Sequence, residues 1–131
     1  MDLESIKTTA PKVQAFLAGN GEPPIEEFIF IHNHPMLQDN FVTDINKKSV
    51  MAGNLAVKLS GGRGMRVVRR METLTNSLLL EMSKNTITSK GIYNSIFDAD
   101  DMSISTALKS LNYLRDMNML CDELLALMNL K

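Results

Sequence analysis

The chain has no tryptophan, one cysteine and few aromatic residues of any kind, and each shortage narrows what it is. With Cys121 alone no internal disulfide can form, so packing has to hold the fold, and the count suits a reducing compartment such as the cytoplasm. No run approaches the roughly 18 uninterrupted apolar residues of a membrane span, because charges break every candidate within a few positions. No membrane partner is expected. The stretch from Met1 to Lys12 mixes acids, lysines and a proline without an apolar core run, so no secretory signal is expected there.

Acidic residues are missing from one long segment. Between Ile45 and Met71 there is no Asp or Glu, yet the segment holds Lys47, Lys48, Lys58, Arg63, Arg66, Arg69 and Arg70. The C-terminal part leans the other way through Asp98, Asp100, Asp101, Asp116, Asp122 and Glu123. A net charge of −1 conceals this segregation, which usually serves a partner or a neighbouring subunit.

What is present suffices for a core. Of 131 residues, 44% are apolar, and a domain of this size buries roughly two-thirds of its unfolded surface. Ten methionines suit either irregular core packing or an adaptable contact surface.

Hydrophobic spacing gives a mainly α chain, read as one domain over 1–131. Residues 1–24 form an N-terminal arm with a helical stretch from Ala10 to Ala18, broken by Gly19-Asn20-Gly21 and Pro23-Pro24. Glu26 to His32 (EEFIFIH) alternates and reads as a short strand or as a helix entered from Pro24; His32-Asn33-His34-Pro35 stops it. Thr43 to Leu59 carries Ile45, Val50, Met51, Leu55, Ala56 and Leu59 at loose helical spacing, before the break at Ser60-Gly61-Gly62-Arg63-Gly64. Met65 to Lys84 is the clearest helix, with Val67, Val68, Met71, Leu74, Leu78 and Met82 on one stripe and Asn85 as its cap. Thr88 or Ser89 caps a short helix through Phe97, and Asp98 to Asp101 turns the chain. Ser103 caps a helix from Ile104 to about Met117, pinned by Ile104, Leu108, Leu111 and Leu114, and a last helix spans Leu120 to Leu130.

The layout of residues 65–120 resembles the helix–turn–helix core of winged-helix DNA-binding domains. Thr88 and Ile92 match the second helix, Ser103 and Thr106 open the third, and Met119-Leu120 falls where the wing begins. The resemblance implies a DNA-binding regulatory protein. Ser105, Thr106, Lys109, Ser110, Asn112 and Tyr113, opposite the pinned stripe, would contact phosphates and base edges. Lys58, Arg63, Arg66, Arg69 and Arg70 would add phosphate contacts at a glycine-rich loop and helix N-terminus. The turn here is longer and more acidic than the family's, Gly91 lies inside the second helix, and helix replaces a wing after Leu120. A homodimer is expected, with Leu120 to Leu130 as its seam. The alternative is a non-enzymatic protein-interaction module: a secretion or assembly chaperone or adaptor, or a phage or viral factor that binds a host protein.

His32-Asn33-His34-Pro35 with Asp44 resembles the zinc signature of JAMM-type metalloproteases. Phe41 stands where that family has Ser, and where the family's catalytic Glu lies on a strand far upstream this chain has only its first 25 residues. No metal, cofactor or catalytic residue is therefore expected. Cys121, on the apolar side of the last helix beside Asp122 and Glu123, reads as a buried thiol with a raised pKa.

Overall fold

A computed structural model describes residues 10–58, 62–81, 92–97 and 102–129, apart from the side chains of residues 63, 94, 128 and 129. Among the described residues all regular structure is helical: α1 (Pro11–Leu17), α2 (Ile25–His32), α3 (Pro35–Lys58), α4 (Gly62–Glu81), α5 (Ile92–Phe97) and α6 (Ile104–Asn129). Leu59, Met82, Asn85, Thr88, Ser89, Gly91 and Asp98 to Asp101 lie outside the described residues.

Local signals explain several helix ends. Pro11 and Pro35 sit at first helical positions, where proline's missing N–H costs nothing and its φ is already helical. Pro35 thus starts α3 eight residues before the expected Thr43. Gly19 and Asn20 close α1 in a Schellman arrangement: their N–H groups donate to the carbonyls of Phe16 and Ala15, both at 2.9 Å. Gly19 holds φ +95° to do so, a conformation that costs other residues strain. At its other end α1 is capped from a distance, since the Val13 N–H donates to Glu27 Oε1 of α2 at 2.7 Å. Within the N-terminal arm α1 is therefore part of the core, with Val13, Phe16 and Leu17 buried.

Glu26 to His32 is helix, not strand. Two acids occupy its first turn, and Phe28 and Ile31, three apart, point inward while Phe30 points out. The alternating pattern is thus used at helical period. Phe28, Phe41 of α3 and Phe97 of α5 meet at ring-centroid separations of 5.2–6.5 Å and tie three helices together.

The largest correction concerns α6. It runs unbroken from Ile104 to Asn129, through the Met119-Leu120 pair expected to separate two helices. It packs against α1, α2, α3 and α4. At 100° per residue its buried positions, from Ala107 and Ser110 to Cys121 and Leu124, span about half the helix circumference. That buried arc is turned by about a quarter turn from the expected stripe. Ile104 and Leu108 are accordingly 67% and 37% exposed, whereas Ser110 and Tyr113 are buried. The cause is that α6 has neighbours on several sides, so its inward arc is set by them and not by its own apolar stripe. Within the expected dimer seam Leu120, Cys121 and Leu124 are buried within the chain, Leu125 and Leu127 are half-buried and Ala126 is exposed.

Candidate functional site

The proposed reading helix presents only part of its set. Ser103 Oγ accepts the Thr106 N–H at 3.0 Å, the expected N-cap, and leaves Ser105 exposed with Thr106, Lys109 and Asn112 half-buried. Tyr113 faces α4, where its hydroxyl lies 2.8 Å from Thr75 Oγ1, and Ser110 is wholly buried. Neither can reach a groove of DNA.

The basic residues lie elsewhere. Arg70 pairs with Glu123 and Thr75 meets Tyr113, so α4 and α6 run antiparallel. Arg66, Arg69 and Arg70 consequently stand beside the C-terminal half of α6, while Ser105 and Lys109 lie near its start. Lys109 and Glu123 are separated by roughly 21 Å of helix. The expected single footprint is therefore split. Arg66 and Arg69 are exposed, Lys58 is exposed at the end of α3, and the Arg63 side chain lies outside the described residues. A groove of about 360 Å³ between α4 and α6 is lined by Arg66, Val67, Arg70, Glu123, Ala126 and Leu127.

Where α1, α3, α5 and α6 meet, a cavity of about 170 Å³ is lined by polar groups that bind one another. Lys48 Nζ lies 2.7 Å from both Asn118 Oδ1 and Asp122 Oδ1, and the Asn118 amide donates to the Leu17 carbonyl at 2.7 Å. Ser49 Oγ lies 2.7 Å from the Tyr93 hydroxyl. Burial pushes the Tyr93 phenol and the Cys121 thiol upward. For Cys121 the Asp122 charge adds a lesser upward push, against lowering by Ser49 and Lys48. Both groups stay protonated near neutral pH, which suits a structural seam better than nucleophilic chemistry.

The histidine segment is occupied locally. His34 Nδ1 lies 2.7 Å from the Phe30 carbonyl and its ring stacks on Phe30 at 3.9 Å, while His32 Nδ1 lies 3.2 Å from Asn33 Oδ1. Asp44 is buried in α3, and among the described residues no three His, Cys, Asp or Glu side chains gather as metal ligands would.

A surface not singled out from the sequence lies on the outward side of α3. Val50 and Val57 are 63% and 78% exposed, and Met51 is exposed beside them. Among the described residues Thr43, Asn46, Lys47, Val50, Met51, Asn54, Leu55 and Lys58, all of α3, form an open, shallow surface there. The signal was present in the loose spacing of Thr43 to Leu59, because Val50 and Met51 fall off the Ile45, Ala52, Ala56 arc that packs inward.

No family model, curated protein or solved structure matches this chain. Among the described residues no helix is long and apolar enough to cross a membrane.

Proposed function

We propose that this chain is a non-enzymatic protein-binding module of the adaptor or chaperone kind, which engages its partner through the outward face of α3. The observation that carries the reading is the cluster of Val50, Met51 and Val57, left uncovered on a helix whose opposite face is fully used in the core. Clustered exposed apolar side chains on a well-packed domain mark contact surfaces more often than isolated ones do.

DNA binding is the second reading, favoured by the exposure of Lys58, Arg66 and Arg69 in a segment free of acids. It would be largely insensitive to sequence, since the arginines and the reading side chains of α6 stand apart.

A photo-crosslinking residue placed at position 57 in cells, with a second at position 108 as control, tests the first reading. A discrete protein adduct at 57 and none at 108 is expected. No adduct at 57, together with retention of a DNA duplex whose log–log salt slope is near about −3, would replace it with the second, since three phosphate contacts release counterions to that extent.

A further inference from the structure

Resting on the protein-binding reading, we infer that the segment received by α3 is an acidic amphipathic helix, lying between Lys47 and Lys58. The two lysines stand eleven residues apart, roughly 16 Å along α3, which is about three helical turns. Between them Val50, Met51, Leu55 and Val57 offer apolar contact, and Met51 can reshape itself to a partner's side chains. A short helix laid along this face would meet it through apolar residues spaced three and four apart.

The charge pattern selects the sign of the partner. Lys47 and Lys58 are exposed, and among the described residues neither has a carboxylate in ion-pair contact. Of the acids of α3, Asp44 is buried, lining the cavity beside Lys48, and Asp39 lies about two turns before Lys47. A segment with acids flanking its apolar stripe is steered toward such a face and pairs with both ends, whereas a basic one is repelled.

The same pattern disfavours two other occupants. In a two-fold pair of copies, antiparallel helices would set each Lys47 against the other copy's Lys58, and parallel ones would set each lysine against itself. Either arrangement opposes like charges. DNA would lay phosphates over Val50, Met51 and Val57, which desolvate them and return no hydrogen bond.

The test is fluorescence anisotropy with the full chain and three probes. One is a labelled 16-residue helical peptide with leucines at helical spacing flanked by glutamates, one is the same peptide with lysines for glutamates, and one is a DNA duplex. The glutamate peptide should bind saturably and several-fold more weakly when salt rises from about 50 to 500 mM. Reversal of both lysines, Lys47→Glu with Lys58→Glu, should weaken it by about tenfold or more. Val50→Asp with Val57→Asp should weaken it by more than about thirtyfold, through lost apolar contact and an unpaired charge, while circular dichroism stays unchanged because both sites are exposed. Equal or tighter binding of the lysine peptide would overturn the acidic partner and leave the protein-binding reading standing. Failure of both peptides would overturn the inference, with the crosslink at position 57 deciding the wider reading separately. Retention of the duplex alone would overturn both. A dimer in sedimentation that Val57→Asp dissolves would assign the face to a second copy and likewise overturn the inference.

Discussion

α3 and α6 are of nearly equal length, 24 and 26 residues, yet they spend their apolar side chains differently. α6 is the central helix, touched by four others, and even a serine and a tyrosine are buried on its surface. α3 buries Phe41, Val42, Ala52 and Ala56 on one side and carries Val50, Met51 and Val57 on the other, beside lysines. Apolar spacing therefore tells that a segment is helical, but the number of neighbours decides which apolar residues are covered. Where neighbours are many, polar groups are drawn inside, the Tyr113 hydroxyl beside Thr75 among them; where they are few, apolar groups stay exposed.

The largest test of that contrast lies within α6. Replacing the fully buried Leu111 by alanine should cost about 2–5 kcal/mol in denaturant unfolding, because a transfer loss and a cavity add. Leu108→Ala should stay within about 0.5 kcal/mol. A loss at Leu108 as large as that at Leu111 would show that the helix is turned as its own apolar spacing suggests.

Alkaline pH probes the buried groups that join α3 to α5 and α4 to α6. Tyr93, Tyr113 and Cys121 all have folded-state pKa values raised, chiefly by burial, above ordinary values of 10.0 for the phenols and 9.0 for the thiol. A raised folded-state pKa means that the unfolded chain loses its proton first. The stability linked to these groups is therefore whole below about pH 9 and is lost progressively as pH climbs from the ordinary values toward the raised ones. The thermal midpoint should fall across that window, and Tyr93→Phe should lessen the fall. A flat midpoint between pH 8 and about 10.5 would contradict the burial of these groups.

Two smaller effects concern single hydroxyls of α6. Ser103→Ala removes the N-cap and should cost about 1 kcal/mol. Ser110→Ala should stabilise the fold by up to about 1 kcal/mol, since the buried Oγ has no hydrogen-bond partner among the described residues. A large loss at Ser110 would reveal a polar contact that the packing of α6 does not predict. Smallest of all, Val57→Asn should leave the unfolding midpoint within about 0.5 kcal/mol of the parent, which separates a surface held for a partner from one held for the fold.

Much of this was legible locally. The helical class, the α4 stripe and the Ser103 cap follow from spacing and from one hydroxyl three residues before an amide it can accept. The continuity of α6 was legible too, because no Gly or Pro occurs from Met102 to Lys131; the winged-helix layout suggested a break that no residue there enforces. The rotation of α6 was not legible, since it depends on α1, α2, α3 and α4 closing around it. Nor was the separation of Arg66 and Arg69 from Ser105 and Lys109, which arises from the antiparallel course of α4 and α6. The outward strip of α3 lay in between: Val50 and Met51 stood out of step with Ile45, Ala52 and Ala56, yet only tertiary packing tells which of the two sets is inside.

The central claim, that binding belongs to the uncovered face of α3 and not to α6, is tested most directly by methyl-group nuclear magnetic resonance. The glutamate-bearing helical peptide would be titrated into the full chain while the methyls of Val50, Met51, Val57, Leu108, Leu111 and Leu124 are followed. The account predicts saturable shifts at Val50, Met51 and Val57, with Leu108, Leu111 and Leu124 unmoved. Shifts centred on Leu108 with the α3 methyls silent, or no saturable shift at any of them, would contradict it.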